Sequence, residues 1–358
     1  MGNLRDQPGP RLLHVVTQKG RGLDEAERDP VRYHGAGGAI SLEASPSTRP
    51  TWTEATAEIL CRRAESDPRI VTITPAMVEG SGLKTFQERF PDRLHDVGIA
   101  EQHAVTLAGG LATEGLRPVV AIYSTFLQRA WDQVIHDIAL QNLPVVFLVD
   151  RAGLVGPDGP THAGSFDMSL GLSVPNLRLA APADQRDLEA AMETALAHDG
   201  PTMIRFPRDR CPANLGGDAG SDSWAPRLIR RSSTPGRRLL MIAVGPLTET
   251  LRPICEELDL TLLDLRWVKP LPFEAVAELA EAHAGVVTVE EGSRIGGVGA
   301  EILSRLLESG NPRPALRLGI EDRFIEHGSR DESLADTGLD FQSLADSIAA
   351  FLDRISDS

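Results

Sequence analysis

The sequence predicts an α/β protein of two doubly wound domains with mainly parallel sheets, preceded by an orphan strand and a linker. Three observations carry this expectation. The 358 residues correspond to about two domains at roughly 150 residues each. Apolar residues at 41% and charged residues at 24% are globular values, which excludes disorder along the whole chain. From Trp52 onward, short apolar runs rich in Val and Ile alternate with helix-length segments, the pattern of a parallel sheet covered on both faces.

Residues 11–17 (RLLHVVT) are apolar and β-branched and end in QKGRG, so they read as a strand running into a loop. From there to about residue 50 the chain is polar, Gly-rich and Pro-rich, as in a linker. A strand with no sheet of its own leaves its backbone unpaired and is expected to pair outside the two domains. The first domain, residues 51–211, begins with a helix at about 52–65. It continues through IVTITP, LHDVGI, the helix EQHAVTLAGGLATEG, PVVAIY, the helix TFLQRAWDQVIHDIALQ, PVVFLVD, LRLAAP, a helix over 184–198 and TMIRFP. Residues 212–237 read as a second linker. Residues 238–358 repeat the theme with LLMIAVG, TLLDLRWVKP, GVVTVEE and ALRLGI between helices.

With 51 acidic and 36 basic residues the formal net charge is −15, which argues against nucleic acid or an anionic membrane as partner. An anionic ligand would need a local basic pocket. Cys61, Cys211 and Cys255 are far apart and form neither a disulfide framework nor a zinc pattern. No apolar run reaches the ~20 residues of a membrane span. MGNLRDQPGP has no apolar signal segment, and Asp6 stands where a myristoylation motif has Ser or Thr. A cytoplasmic protein is the expectation.

In open parallel sheets ligands bind beyond the carboxyl ends of the strands. Three junctions there carry candidate chemistry. Glu101, in DVGIAEQH, falls on the first turn of a helix, where an acid commonly just faces water and the helix dipole. Its neighbours Val97, Ile99, Ala100, Ala104 and Val105 are apolar, and a desolvated carboxyl suits proton exchange. At AIYSTFLQRAWD, Tyr123 and Phe126 are either packing or a wall for a flat ring, and Arg129 shares the face of Phe126 one turn on. The loop DRAGLVGPDGPTH brings Arg151, Asp158 and His162 to one edge, although Asp158 and His162 also suit plain turn chemistry. Arg205 and Arg208, in TMIRFPRDR, add a pair of arginines of the kind that clamps a phosphate. Two motifs carry little weight: Gly217-Asp218-Ala219-Gly220 lies in a linker, and Gly296-Gly297-Val298-Gly299 lacks the rest of a dinucleotide-binding unit.

The runs ITPAMVEGSGL, FPDRLHDVGIAEQHAVTLAGGLA, VAIYSTFLQRAWDQVIHD and VDRAGLVGPDGPTHAGSFD closely resemble those of 1-deoxy-D-xylulose-5-phosphate synthases, thiamine-diphosphate enzymes of the transketolase superfamily. The likeness continues through RFPR, WVKPLP, VVTVEEGSRIGGVGAEI and DRFIEHGS. It implies that residues 51–211 are a pyrimidine-binding domain and 238–358 a transketolase C-terminal domain. Residues 1–50 would be the tail of a domain that holds the cofactor's diphosphate and Mg²⁺ through a Gly-Asp-Gly to Asn motif not found in these residues. By resemblance, Glu101 meets the aminopyrimidine and Phe126 and Tyr123 line cofactor and substrate. By the same likeness Asp158 and His162 lie near the reacting carbon and His34 near the substrate, Arg129 is a further active-site arginine, and Arg151 and Arg208 hold the substrate phosphate. Leu23 stands where the family carries a Tyr against the cofactor, which removes a hydroxyl and a ring face.

The implied reaction is decarboxylation of pyruvate and transfer of its two-carbon unit to D-glyceraldehyde 3-phosphate, in a homodimer that needs a separate or fused N-terminal domain to act. Two rivals remain. The β subunit of a 2-oxo-acid dehydrogenase's decarboxylating component has the same two domains but no use for a phosphate clamp. A catalytically silent dimerising remnant would have no reason to keep the site residues.

Overall fold

The computed structural model describes residues 2–30, 33, 48–217 and 224–356. It forms two units, residues 1–47 and 48–358, each taken by itself here. In the first, the helix Asp24–Arg28 is approached by a turn in which Gly22 N–H and the Gln18 amide donate to the Glu27 carboxylate at 3.0 and 2.9 Å. The expected orphan strand is not formed. Residues 11–17 are irregular, with Leu12 and Val16 exposed.

The second unit holds two sheets. One contains β1 (Ile70–Thr74), β2 (Leu94–Asp96), β3 (Arg117–Tyr123), β4 (Val146–Asp150), β5 (Arg178–Ala180) and β6 (Thr202–Arg205). The other contains β7 (Arg227–Arg230), β8 (Leu239–Val244), β9 (Thr261–Asp264), β11 (Gly285–Ser293) and β12 (Ala315–Ile320), while β10 (Trp267–Lys269) crosses back to the first. The strand orders are β10-β5-β6-β4-β3-β1-β2 and β12-β11-β8-β9-β7. All neighbours are parallel except β10 on β5 and β7 on β9. The doubly wound α/β architecture is as expected.

Three local expectations differ. TLLDLRWVKP splits into two strands in different sheets, with Arg266 at φ 57° between them. The stretch 212–237 carries β7, held by the buried Arg227 guanidinium against Asp184, Asp187 and Asp264. The predicted helix after β3 breaks into the helical turns Ser124–Leu127 and Trp131–Gln133, joined by a 3₁₀ turn and followed by the π-helical Val134–Ala139. The helix Trp52–Ser66 begins as its sequence suggests, with Thr51 and Glu54 forming a capping box. No helix among the described residues is long and apolar enough to cross a membrane.

Candidate active site

β2 ends at Asp96, whose Oδ1 accepts from the N–H groups of Ala76 and Gly98, both at 2.9 Å. Gly98, at φ 69°, turns the chain so that Glu101 opens the helix Glu101–Thr113. Glu101 is 3% exposed. Its surroundings differ from the apolar shell expected: Arg129 Nη1 donates to Oε1 at 2.5 Å. The partner arrives from the broken helix after β3. Among the described residues no hydrogen bond to Oε2 is made.

The β3 end supplies the flat surfaces. Tyr123 stacks on Phe126 with centroids 5.6 Å apart and planes at 16°. The Arg129 guanidinium lies 5.3 Å from the Phe126 ring, so the two share a face as expected, and His162 meets the same ring edge-on at 5.3 Å. Arg151 covers the other ring at 3.8 Å from the Tyr123 centroid. The Tyr123 hydroxyl occupies the space at Gly80 that a side chain would need. Burial pushes the Tyr123 phenol up to about 12, so it stays neutral. Thr161 Oγ1 is 2.9 Å from His162 Nδ1, and Thr125 Oγ1 donates to Thr161 O at 3.0 Å, which fixes the approach of the imidazole.

The β4 loop supplies the cations. Asp150, buried at the strand end, accepts from Thr53 Oγ1 at 2.8 Å and from Arg151 N at 2.6 Å, with the Arg151 guanidinium 3.5 Å away. Burial raises the Asp150 carboxyl to about 6 against the pull of that guanidinium. Asp158 draws two arginines together: Arg208 Nη1 donates to its Oδ2, and Arg151 Nε stands 3.8 Å from the same atom. At that distance Arg151 Nε is a buried donor with no hydrogen-bond partner among the described residues. The pairing of Arg205 with Arg208 in a clamp is corrected. Arg205 is buried, donating to Asp167 Oδ2 and to the Glu291 carbonyl at 2.9 Å each, and so serves the core.

One chain of contacts therefore joins Glu101, Arg129, Phe126, Tyr123, His162, Arg151, Asp158 and Arg208 at the carboxyl edge of one sheet. Leu23 stands at the start of the helix Asp24–Arg28 in the other unit, half exposed. His34 lies outside the described residues. Sequence reasoning missed the support given by Asp150, Thr53 and Gly80. An acid closing the apolar run VVFLV was a usable signal for the first only. The Gly-rich Gly296–Gly299 stretch is already filled, since Glu290 accepts from Val298 N and Gly299 N at 2.9 Å each.

Residues 48–213 match the family "Transketolase, pyrimidine binding domain" and residues 230–344 match "Transketolase, C-terminal domain". The chain belongs to the transketolase superfamily. Within the superfamily it is 50% identical over 356 residues to the 1-deoxy-D-xylulose-5-phosphate synthase of Paraburkholderia phymatum, covering 97% of this chain and 56% of that one. It is 49% identical over 361 residues to the synthase of Thioalkalivibrio sulfidiphilus, covering 99% and 56%. The chain thus spans about half the length of the curated relatives it matches. Among solved structures, a split-gene transketolase described as an inactive β4 tetramer superposes with a TM-score of 0.75 at 25% identity, covering 85% of this chain and 98% of that one. A transketolase from Campylobacter jejuni shares the fold, with a TM-score of 0.72 at 18% identity over 85% of this chain and 47% of that one.

Proposed function

We propose that this transketolase-like chain supplies the pyrimidine-binding and phosphate-recognising half of a synthase that decarboxylates pyruvate and transfers the two-carbon unit to D-glyceraldehyde 3-phosphate. The products are 1-deoxy-D-xylulose 5-phosphate and CO₂. The observation that carries this reading is the contact chain from the buried Glu101 to the Arg151–Asp158–Arg208 cluster along one sheet edge. The donor set fits thiamine diphosphate on its pyrimidine side: a buried carboxylate with one open oxygen, beside a half-buried aromatic ring.

Thiamine diphosphate, when bound, supplies a thiazolium that stabilises the carbanion left by decarboxylation. The chain's own residues hold and move protons and orient the substrates. Glu101 would share a proton with a ring nitrogen of the pyrimidine, while Arg129 holds its Oε1. Phe126, on Tyr123, presents the flat face. His162 and Asp158 stand beside the substrate carbon as proton donors or acceptors. Arg151 and Arg208 bind the phosphate of the aldehyde, which satisfies the open Arg151 Nε donor.

Among the described residues no cluster of acidic, His or Cys side chains is placed to hold a metal. In our reading Mg²⁺ and the cofactor's diphosphate belong to a further domain, fused or separate, and the working unit is a homodimer. The split-gene relative described as inactive is matched over 98% of its length, which supports the view that a chain of this extent needs that complement. Calorimetry of the 358-residue chain with thiamine diphosphate and Mg²⁺ is expected to show no tight binding. Adding the diphosphate-binding domain of a relative should then yield product from pyruvate and D-glyceraldehyde 3-phosphate. Tight binding by the chain alone refutes the need for a complement. Turnover with a lipoyl domain in place of the phosphorylated aldehyde would favour the dehydrogenase reading, in which Arg151 and Arg208 have no phosphate to bind.

A further inference from the structure

The loop after β4 is gripped from the C-terminal part of the chain. Leu154 N–H donates to Glu291 Oε1 at 2.7 Å, and the Leu154 carbonyl accepts from Arg330 Nη1 at 2.8 Å. The same guanidinium pairs with both oxygens of Glu291, Nη1 to Oε1 and Nη2 to Oε2 at 2.8 Å each, and its Nε donates to Asp209 at 2.6 Å. Glu291 lies on β11, and Arg330 opens the helix Arg330–Asp336. One bidentate pair thus takes both backbone groups of a single residue in the site loop, a geometry with little freedom.

The loop is shaped to that pair. Gly153 has φ 81°, and a Cβ there would lie 2.5 Å from Glu291 Oε1. Gly156 has φ 60°, and a Cβ there would lie 2.8 Å from the Arg330 backbone nitrogen. Both positions need glycine twice over, for their left-handed backbone and for the close approach. Arg151 itself is held at φ 56°, a left-handed backbone that is strained for a residue with a side chain and persists only where surroundings over-determine it. Asp150 determines it from the strand side, through its hydrogen bond from Arg151 N. Glu291 and Arg330 do so from the other side, three residues on.

We propose that Glu291 and Arg330 are positioning residues that hold loop 150–162 in its strained form, so that Asp158 keeps Arg151 and Arg208 side by side as a preformed phosphate-binding pair. The phosphate in this statement rests on the function proposed above; the grip on the loop rests on the contacts alone. Preorganisation of this kind removes the ordering cost that a mobile loop would bring to binding.

The test uses the full 358-residue chain as wild type, Arg330→Met, Arg330→Lys and Glu291→Gln, with two readouts: amide hydrogen exchange along the chain and titration with inorganic phosphate. Arg330→Met is expected to speed exchange at Leu154 and across 151–162 by about tenfold or more, with β3 and β8 changed by less than about twofold. Phosphate affinity should fall about tenfold in the same variant. Arg330→Lys, which keeps the charge but loses the fork, should recover part of both. Should Arg330→Met not fold, Glu291→Gln, equal in size and shape, carries the comparison. Loop exchange that stays at the wild-type rate, or that rises equally in both sheets, overturns the proposal. Loop protection that the variants lose, in a wild type that takes up no phosphate, upholds the grip and overturns the phosphate reading instead.

Discussion

Glu101 opens the helix that follows β2, and Glu290 lies on β11 beside the start of the helix Val298–Glu308, so each is an acid near the carboxyl edge of one of the two sheets. Both are buried. Glu290 spends both oxygens on its own helix, accepting from Val298 and Gly299, and burial still raises its carboxyl pKa. Glu101 has one oxygen on Arg129, whose side chain is half exposed, and one open. Beyond Glu290 the neighbouring acid Glu291 is closed off by Arg330, whereas beyond Glu101 the Arg151 Nε makes no hydrogen bond among the described residues. A sheet's carboxyl edge is therefore only a place where a site can form. In our reading the candidate site forms at the edge where Glu101 keeps an oxygen without an internal hydrogen bond, while at Glu290 both oxygens have internal partners and the edge serves as scaffold.

The sharpest test of this contrast is Glu101→Gln. In the enzyme complemented with a diphosphate-binding domain it should lower turnover by about 10²–10⁴-fold, the range for loss of a proton-transfer group, with little change in melting temperature. Glu290→Ala should do the reverse. Two buried N–H groups lose their acceptors, so urea unfolding should show a loss of about 2–4 kcal/mol, while phosphate titration of the folded protein is unchanged. Arg208→Ala comes next, with KM for D-glyceraldehyde 3-phosphate raised about tenfold and KM for pyruvate unaffected. An equal rise in both would break the assignment of Arg208 to the phosphate.

The effect at Asp150 depends on pH. Its carboxyl ordinarily titrates near 3.8 and is held at about 6 in the fold, so the native state binds a proton that the unfolded chain has lost across that window. Its contribution is full below about 3.8 and is lost as pH rises through about 6. Stability of Asp150→Asn relative to wild type should therefore shift in the variant's favour by about 2 kcal/mol between pH 4 and 7. A flat difference would mean that Thr53, Arg151 and Arg208 keep Asp150 charged throughout.

Much of the site was legible because its residues sit beside local signals. Tyr123, Phe126, Arg151 and Asp158 follow directly on apolar runs that end in polar or Gly-rich segments, and such junctions in a parallel sheet share one edge. What was not legible is which arginine meets which acid. Arg205 and Arg208 are three residues apart in one motif, yet Arg205 is drawn inward by Asp167 while Arg208 reaches Asp158. Those acids lie 38 and 50 residues away. The strand β7 was hidden for a related reason: its four residues include two arginines, and burial of Arg227 depends on Asp184, Asp187 and Asp264 from other elements.

By itself the sequence determined the alternation of strands and helices and the glycines that turn the site loops, because periodicity and backbone preference act over a few residues. It also set the chemical types available at each strand end. Only the tertiary structure decided that Arg129 pairs with Glu101 and that Asp158 gathers two arginines. It alone showed that residues 11–17 stay irregular and that Glu291 with Arg330 grips a loop more than 130 residues earlier in the chain. Charge pairing and hydrogen bonding act through space, and the separations that matter to them appear only once the sheets have brought distant segments together.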